Sequence, residues 1–327
     1  MAFQTKIAGW IAANARTLGL QVLELGWVKA WLPGFTAIAV SITINERRYR
    51  GHGVDVDADT AVIKAVVEGI ERAAKDESGL ASTSGMAGHS SLSAARDNAV
   101  CELIERDAFF CHYLTKVPFT QLDLKTMTSS TFEVDRVLSV ARSVGIDLSI
   151  ASMVVPQGYH AFIGVAFGEH AQRSFGCIIG LGCSLSKDLA VQKALLECLS
   201  NVAAQCDGVL PLSLTLSNFL VNKAASVEDH LRLGLDRSSA QVMRRLIAPV
   251  PSYAEPLSLG ETVFATVNTP QSCQSAPLYF SLATSPASQP AFFGQGMPSF
   301  VNLARLSKFV GRPLTIHSLE QHPHMMG

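Results

Sequence analysis

The chain has 327 residues, enough for one large domain or two smaller ones with a substantial hydrophobic core. Hydrophobic residues make up 48% of it and charged residues only 16%, so we expect extensive burial, some of it at a subunit contact such as that of a homodimer. The 26 basic and 27 acidic residues almost cancel, which disfavours nucleic acid and acidic membrane surfaces as partners.

The most apolar early stretch, residues 26–44, is unsuited to crossing a membrane. It carries Lys29 and Pro33 in its middle, whereas a membrane span needs about 20 uninterrupted apolar residues. The N-terminus lacks the basic cluster, apolar run and small-residue cleavage site of a secretory signal, so we expect a cytoplasmic protein with no membrane partner. No Cys-x-x-Cys pair occurs among the seven cysteines, which we expect to be buried thiols.

The N-terminal part of the chain predicts a strand followed by two units of loop and helix. Residues 36–44 alternate in the manner of a strand with one buried face, and Gly51-His52-Gly53 is predicted to form a loop after it. Apolar residues recur at helical spacing over 59–74 and again over 93–113. The Ser- and Gly-rich segment 82–91 is predicted to form the loop before the second helix.

The rest of the chain mixes strands and helices. A third helix is predicted over 133–144. Strands are predicted over 149–155, 159–167 and 174–179. The segment Gly180-Leu181-Gly182-Cys183-Ser184 is predicted to be a loop that opens a fourth helix over 187–204, and residues 251–300 to be short strands and loops. These elements indicate a mixed α/β fold, which we expect to form a single domain over residues 1–327.

A repeat within the chain is the main functional signal. Two of the predicted helices carry the same pattern of two acids and an arginine. The copies are Glu68-x-x-Glu71-Arg72 and Glu102-x-x-Glu105-Arg106. Positions three and four apart share a helix face, so each copy points two carboxylates and a guanidinium in the same direction. The fourth predicted helix repeats one acid, Glu197, with Asn201 four residues later.

Two interpretations of the acidic pattern compete. The acids and arginines could form exposed salt bridges between positions four apart, each worth a few tenths of a kcal/mol, about 0.3 on average. That interpretation leaves Glu71 and Glu105 unexplained, because they add like-charge repulsion on helices whose other residues suit partial burial. Clustered, partly buried carboxylates need cations to neutralise them, and oxygen ligands of this kind suit Mg²⁺. We therefore predict a shared cation site.

The predicted cation indicates a nucleotide, because Mg²⁺ usually binds through a few carboxylates together with substrate phosphates. The glycine and serine loops predicted before the acidic helices offer backbone N–H groups and helix N-termini to phosphate oxygens. No P-loop motif occurs, and neither Gly51-His52-Gly53 nor Gly180-Leu181-Gly182 completes a dinucleotide fingerprint. An ATP site in this chain would therefore depend on several acids and metal ions.

These motifs resemble the YcaO-domain family across nearly the whole chain. The resemblance rests on the helix over 61–72 after a Gly-x-Gly segment, and on Ser84-Gly85-Met86-Ala87-Gly88 ahead of Glu102-Leu103-Ile104-Glu105-Arg106-Asp107-Ala108-Phe109. It rests also on Gly180-Leu181-Gly182-Cys183-Ser184 ahead of Glu197. It implies a mixed α/β, YcaO-like fold in which acidic helices pack on β-sheets around a pocket for ATP and Mg²⁺.

The resemblance also implies a chemistry and a set of site residues. Family members use ATP to phosphorylate a backbone amide oxygen of a ribosomally made peptide after a nucleophile has added to the carbonyl carbon. The implied metal ligands are Glu68, Glu71, Glu102, Glu105 and Glu197. The implied nucleotide-binding residues are His52, Arg72, Asn98, Arg106, Ser184 and Asn201. Near the C-terminus, His322, Pro323 and His324 are the candidate catalytic group, the alternatives being incidental metal ligands and a disordered tail.

Four features depart from the family pattern. His52 stands where the family has Lys, Ala65 where many members have Ser, and Asn201 where Gln is expected. The tail also lacks the alternating prolines that accompany azoline formation. These departures keep a divergent or inactive member open as an alternative.

The reaction predicted from this resemblance is ATP- and Mg²⁺-dependent cyclodehydration of Cys, Ser or Thr in a precursor peptide to thiazoline or oxazoline. We expect a separate leader-binding or sulfur-delivery partner protein. Thioamide or amidine formation is the alternative reaction. A non-catalytic module that holds a peptide or a partner enzyme is a second class of function. A metal hydrolase without nucleotide is a third, although such a site would normally recruit His ligands, which the acidic helix faces lack.

Overall fold

The computed structural model describes residues 2–80, 84–123, 134–208, 210–221, 226–248, 253–294 and 297–326. The chain divides into two compact units. The first unit comprises Met1–Leu103 and Thr262–Thr284, and the second comprises Ile104–Glu261 and Ser285–Gly327. The mixed α/β class is confirmed, whereas the single domain over residues 1–327 stays a prediction. Within the described ranges no helix combines the length and the apolar character that crossing a membrane requires.

Strands and helices are interspersed along the described chain. The strands are β1 (Gln21–Glu24), β2 (Thr36–Ile44), β3 (Arg47–Asp55), β4 (Met86–His89), β5 (Phe119–Gln121), β6 (Asp147–Met153), β7 (His160–Phe167), β8 (Cys177–Ser184), β9 (Ile247–Ala248), β10 (Val263–Val267) and β11 (Tyr279–Thr284). The helices are α1 (Ala2–Asn14), α2 (Val28–Trp31), α3 (Ala58–Glu77), α4 (Leu92–Thr115), α5 (Val134–Ser143), α6 (Lys187–Cys206), α7 (Leu216–Val221), α8 (Val227–Gly234), α9 (Arg237–Leu246), α10 (Met297–Phe300) and α11 (Leu303–Phe309).

The four predicted helices are confirmed as α3, α4, α5 and α6, and the three later predicted strands as β6, β7 and β8. Glu133, the first residue of the third predicted helix, lies outside the described residues. The described part of 251–300 holds β10, β11 and loops, as predicted, along with a short 3₁₀ helix and α10; residues 251, 252, 295 and 296 lie outside it.

Two of the three segments predicted to be glycine-rich loops are strands instead, and the third is a loop only in part, at residues 84, 85, 90 and 91. Gly51-His52-Gly53 lies within β3, and Gly180–Ser184 within β8. Met86–His89, inside the loop predicted over 82–91, forms β4, while residues 82 and 83 lie outside the described residues. Glycine usually marks turns, but in β3 and β8 the missing side chains allow close helix packing instead.

In the first unit, β1, β2 and β3 form an antiparallel sheet in that order. Apolar residues alternate along β2, and they pack with α1 and α3 in one buried cluster. Members of this cluster include Ile7, Ile42, Ala65 and Ile70. A second antiparallel sheet, ordered β10-β11-β4, contributes Phe280 to the same cluster.

In the second unit, the sheet has the order β8-β7-β6-β5-β9 and is antiparallel except between β5 and β9. Every residue of β8 is buried, as are all residues of β7 after His160. α6 packs against these two strands, and the Cys198 thiol donates to the Ile178 carbonyl oxygen at 3.5 Å. Strands that are buried on both faces have nearly continuous apolar sequences.

The pair of β3 and α3 in the first unit has the same internal geometry as the pair of β8 and α6 in the second. Each helix begins after a capping side chain, Asp57 or Ser186, that accepts a backbone N–H of the first turn. Each helix also lies so close to its strand that the strand carries glycines beneath it. A Cβ atom on Gly51 or Gly53 would overlap the carbonyl oxygen of Ala65 or Ala61. Added Cβ atoms on Gly180 and Gly182 would overlap the backbone of α6.

A buried ion pair organises the second unit. Asp107 on α4 and Arg305 on α11 are 4% and 7% exposed, and two guanidinium nitrogens of Arg305 donate to the carboxylate. The backbone N–H of Gln289 donates to the same carboxylate at 2.7 Å, and Arg305 Nη1 donates to the Ser258 carbonyl oxygen at 2.7 Å. Because a buried pair is stable only when its remaining donors and acceptors are satisfied, this network fixes two loops around α4.

Three buried histidines of the second unit hold backbone groups through both ring nitrogens. His112 bonds the Val117 carbonyl oxygen at 3.0 Å and accepts the Val154 N–H at 2.9 Å. His230 bonds the carbonyl oxygen of His324 at 2.7 Å and accepts the Gly294 N–H at 2.8 Å. Burial lowers the pKa of His112 and of His230 to about 4, so both are neutral near pH 7.

None of the seven cysteines, all of which are described, forms a disulfide. Five are buried, as predicted, and Cys101 and Cys206 are half-buried. Burial raises the pKa of the Cys111 thiol, which lies in the apolar interior beside Asp107. These thiols therefore contribute to packing.

Replacing Gly51 by Ala should destabilise the first unit by about 1–3 kcal/mol, because the added methyl group must push α3 away from β3. Gly26→Ala is the matched control, since a Cβ there meets no atom within 4 Å. Urea unfolding followed by tryptophan fluorescence compares the two variants. Equal midpoints would contradict the close approach of helix and strand.

Acidification should destabilise the second unit between about pH 6.5 and pH 4. The folded-state pKa values of His112 and His230 lie below the ordinary value of 6.5, so the unfolded chain binds more protons in this interval. The histidines' contribution is present in full above pH 6.5 and is lost as the pH falls, by up to about 3 kcal/mol for each.

Urea unfolding followed by circular dichroism at several pH values measures this loss. His230→Gln should flatten the dependence on pH, whereas His160→Gln, at an exposed position, should leave it unchanged. A stability that does not vary over the interval would contradict the neutral, bonded imidazoles.

Candidate functional site

The first Glu-x-x-Glu-Arg copy lies on α3 beside β3. Glu68 Oε2 accepts the backbone N–H of His52 at 2.6 Å, and Glu68 Oε1 accepts from Arg72 Nη2 at 2.6 Å. The Arg72 side chain is 49% exposed, so this pair between positions four apart contributes little to stability. Its effect is to orient Glu68, whose two oxygens are held by two different donors. Burial lowers the pKa of His52, which is therefore neutral near pH 7.

Glu71 is the unusual carboxylate of this copy. Burial is the main cause that raises its pKa to about 8, and the nearby charge of Glu68 raises it further. A hydrogen bond from the Gly88 backbone and the charge of Arg72 act in the opposite direction but do not offset burial. Near pH 7 the Glu71 carboxyl is therefore mostly protonated in the absence of a ligand, and a bound cation would favour its charged form.

The second copy lies on α4, and the division between the two units falls within it. Asn98 and Glu102 belong to the first unit, and Glu105 and Arg106 to the second. All four are half-buried. Glu102 comes four residues after Asn98, and Glu105 and Arg106 come three and four residues after Glu102, spacings that keep side chains near one face of a helix. In the second unit, Arg106 Nε lies 3.9 Å from Glu105 Oε1, and Arg106 Nη1 contacts the sulfur of Met326.

The third acidic helix, α6, holds its glutamate as α3 does. Glu197 Oε2 accepts the backbone N–H of Leu181 at 2.7 Å. Asn201 is half-buried one turn further along α6. Ser184, at the end of β8, is 8% exposed, and its hydroxyl accepts the Ser186 N–H at 3.2 Å. Glu197 and Ser184 thus belong to the same pair of β8 and α6.

The C-terminal candidates are packed into the second unit, which overturns the alternative of a disordered tail. Tyr113 donates its hydroxyl to the carbonyl oxygens of His322 and Pro323, each at 3.1 Å. His324 is 2% exposed and stacks on His230 with ring centroids 4.0 Å apart. Its Nε2 bonds the carbonyl oxygen of Phe292 at 2.6 Å.

The two histidines of this segment differ in their ring nitrogens. His324 Nδ1 accepts the Met326 N–H at 3.3 Å, so both of its nitrogens are occupied by backbone groups. His322 Nδ1 bonds the Pro323 carbonyl oxygen at 2.7 Å, while its Nε2 is buried without a hydrogen-bond partner among the described atoms. His322 therefore has one nitrogen that could still accept a proton. A catalytic role for His322, Pro323 and His324 stays a prediction.

The candidate residues fall into groups within each unit. His52, Glu68, Glu71 and Arg72 form the group of the first unit. In the second unit, Arg106 lies against the C-terminal segment, and Glu197 lies against β8. Among the described residues no three His, Cys, Asp or Glu side chains are close enough to form a metal-binding group by themselves.

The donor set nevertheless suits Mg²⁺. This ion usually binds through one or two carboxylates plus phosphate oxygens, and it does not need a closed protein cage. The pair Glu68 and Glu71 supplies carboxylate oxygens, and a nearby cation would offset the burial that disfavours the charged form of Glu71. The residues therefore fit Mg²⁺ held together with a nucleotide.

The sequence prediction missed the contact between strand amide and helix carboxylate. It expected the amides of Gly51-His52-Gly53 and Gly180-Leu181-Gly182 to meet phosphate oxygens. Instead, the middle amide of each segment donates to a glutamate of the following helix. It also missed Lys64 and Lys193, whose ammonium groups donate to the carbonyl oxygens of Val54 and Cys183 at 3.2 Å. A lysine four residues before the glutamate in both helices was the available signal.

Known proteins resemble this chain in sequence pattern and in fold. A family model described as YcaO cyclodehydratase, ATP- and Mg²⁺-binding, matches residues 71–267. The search of curated proteins found no match.

Two solved structures share the fold. One is a heterocyclase in complex with substrate and cofactor, with a TM-score of 0.67 and 12% identity over 97% of this chain and 57% of that chain. The other is YcaO from Methanopyrus kandleri bound with AMPPCP and Mg²⁺, with a TM-score of 0.60 and 12% identity over 88% of this chain and 91% of that chain. This chain thus spans little more than half the length of the heterocyclase. Because the family model matches more than half of its residues, the chain belongs to the YcaO family, whose cofactors are ATP and Mg²⁺.

Proposed function

We propose that this chain uses ATP and Mg²⁺ to activate a backbone amide of a ribosomally made precursor peptide, and that the reaction is cyclodehydration. A Cys, Ser or Thr side chain of the peptide adds to the preceding carbonyl carbon. The carbonyl oxygen takes the terminal phosphoryl group of ATP and then leaves as phosphate, which gives thiazoline or oxazoline. The net result is loss of one water from the peptide and conversion of one ATP to ADP and phosphate.

The observation that carries this proposal is the carboxylate pair of Glu68 and Glu71 on α3, with Glu68 held by the His52 N–H and by Arg72, within a Glu-x-x-Glu-Arg pattern that α4 repeats. Mg²⁺ and ATP, when bound, supply the phosphoryl group and neutralise its charge. Glu68 and Glu71 would hold the cation, and Arg72 keeps Glu68 in a fixed orientation. Glu102, Glu105 and Glu197 are proposed as further ligands, since they have the same residue type on the matching helices.

The chain's other residues would position the reactants. Phosphoryl transfer depends mainly on holding the attacking and leaving atoms in line and on neutralising charge. Arg106 offers a guanidinium in the second unit, and we assign it to a phosphate or to the orientation of Glu105. Asn98, Ser184 and Asn201 offer neutral hydrogen-bonding groups to the nucleotide. His322 Nε2 is the proposed acceptor of the proton that the attacking side chain gives up.

The heterocyclase of the same fold was solved with substrate and cofactor, and that the substrate of this chain is a peptide is part of the proposal. We propose in addition that a separate protein binds the leader of the peptide or delivers sulfur. An external sulfur donor would give a thioamide instead of an azoline, and this is the second candidate reaction.

Glu71→Gln should weaken binding of a non-hydrolysable ATP analogue in the presence of Mg²⁺ by at least about tenfold, because the variant loses a carboxylate that would hold the cation. Calorimetric titration with and without Mg²⁺ measures the effect. Glu77→Gln on the same helix is the control, since its side chain accepts from Asn45 and Gln can still accept. Unchanged affinity in Glu71→Gln would remove this residue from the site.

The reaction itself is tested by incubating the chain with ATP, Mg²⁺ and a library of precursor peptides rich in Cys, Ser and Thr. Mass spectrometry should find loss of water at these residues, with one phosphate released for each ring. Exchange of oxygen for sulfur, seen only with a sulfide source, would support the thioamide reaction instead. Nucleotide binding without any peptide modification, with a partner protein present, would support a non-catalytic binding module.

A further inference from the structure

The free edges of two strands carry the same pair of contacts. In the first unit, Glu68 Oε2 accepts the His52 N–H at 2.6 Å and Lys64 Nζ donates to the Val54 carbonyl oxygen at 3.2 Å. In the second unit, Glu197 Oε2 accepts the Leu181 N–H at 2.7 Å and Lys193 Nζ donates to the Cys183 carbonyl oxygen at 3.2 Å. We name each set of two contacts an edge clamp.

The clamped groups point away from the sheets. β3 pairs with β2 alone, and β8 pairs with β7 alone, so each is the last strand of its described sheet. In antiparallel pairing, alternate residues direct their N–H and C=O groups away from the neighbouring strand. His52 and Val54 are such a pair on β3, and their groups would be left to water if the helix did not supply partners.

Close packing makes the clamp possible. The glycines on either side of His52 and of Leu181 let the helix backbone approach the strand nearly to contact. At that separation, a glutamate on the helix reaches the strand amide, and a lysine one turn earlier reaches the carbonyl two residues further along the strand. Both glutamates are half-buried, and both lysines are exposed.

The same two contacts to the strand backbone occur in both units, which argues against a chance arrangement. The surface pair Lys64 and Asp55 also forms a salt bridge at 2.7 Å, but β8 has Ser184 at the equivalent position. The contacts common to both units are those to the backbone. The residue four positions after the glutamate differs between the units: it is Arg72 on α3 and Asn201 on α6. The clamp is therefore shared even where the side chains around it are not.

We propose that the two edge clamps are positioning devices: the amides of His52 and Leu181 fix the carboxylates of Glu68 and Glu197 for the cation, and Lys64 and Lys193 hold the strands in place. This inference rests on the proposed function, because it takes both glutamates as ligands. One oxygen of each carboxylate is tied to the backbone, so the rotamer of the side chain is set before a cation binds. A ligand oriented in advance loses less freedom on binding.

The sharpest test removes the amide hydrogen alone. Proline lacks the N–H and is tolerated on an edge strand where that group faces away from the neighbouring strand. Leu181→Pro is compared with Leu181→Ala, which loses the same buried side chain but keeps the amide. Arg50→Pro is the control for proline itself, because Arg50 lies two residues before His52 and its N–H also points away from β2.

Calorimetric titration with a non-hydrolysable ATP analogue, with and without Mg²⁺, measures the effect, and circular dichroism verifies the fold. We expect the Mg²⁺-dependent affinity of Leu181→Pro to fall about 10- to 100-fold below that of Leu181→Ala, while Arg50→Pro stays within about threefold of the unaltered chain. Equal affinities of folded Leu181→Pro and Leu181→Ala would overturn the proposal.

A second pair of variants decides the matter if Leu181→Pro does not fold. Lys193→Met should lower the Mg²⁺-dependent affinity without changing binding in the absence of Mg²⁺, and Lys193→Arg should restore it. If Lys193→Met loses only thermal stability, the clamp is structural and the proposal fails. An unaltered, folded chain that binds no nucleotide with Mg²⁺ would instead contradict the proposed function, and with it the premise of this inference.

Discussion

The close approach of α3 to β3 and of α6 to β8 is the constraint on which the acidic groups depend. Glycine without a side chain is the residue that allows a helix carbonyl to lie against a strand in this way, and four glycines in the two strands do so. Because the helices lie so near, their glutamates reach backbone amides at 2.6 and 2.7 Å. A wider separation would leave the same glutamates on a solvated helix face, free to rotate. The close packing of the helices therefore also determines the orientation of the glutamates.

The helices were predictable from the sequence because the helical spacing of apolar residues can be recognised within each segment alone. α3, α4, α5 and α6 follow from apolar spacing, and the acidic pattern on them follows from counting residues along one face. The glycine-rich segments were assigned wrongly because turns and close helix contacts both require glycine. To tell a glycine in a turn from a glycine beneath a helix, the position of that helix must be known. A short stretch of sequence does not contain this information. A comparison of the two segments could have helped, since each is followed by a capped helix with lysine and glutamate at matching places.

The C-terminal segment could not be predicted for a different reason. Its partners are Tyr113 on α4, His230 on α8 and the loop at Phe292, all far away in sequence. Composition alone made a short histidine-containing tail look solvated. The structure shows His324 almost fully buried, with its ring nitrogens satisfied by backbone groups. Likewise, Asp107 directly follows the second Glu-x-x-Glu-Arg copy. Its place in the sequence does not indicate that it forms a buried ion pair with Arg305.

The bonds from Gly294 and Met326 to imidazole nitrogens have a consequence for how this part of the chain opens. Each amide hydrogen is held by a ring that is itself stacked on the other ring. Each amide can exchange its hydrogen with solvent only when its N–H···N hydrogen bond opens, so exchange of both should be slow. The rate of deuterium uptake at these two amides therefore measures how often the C-terminal segment detaches from the rest of the second unit.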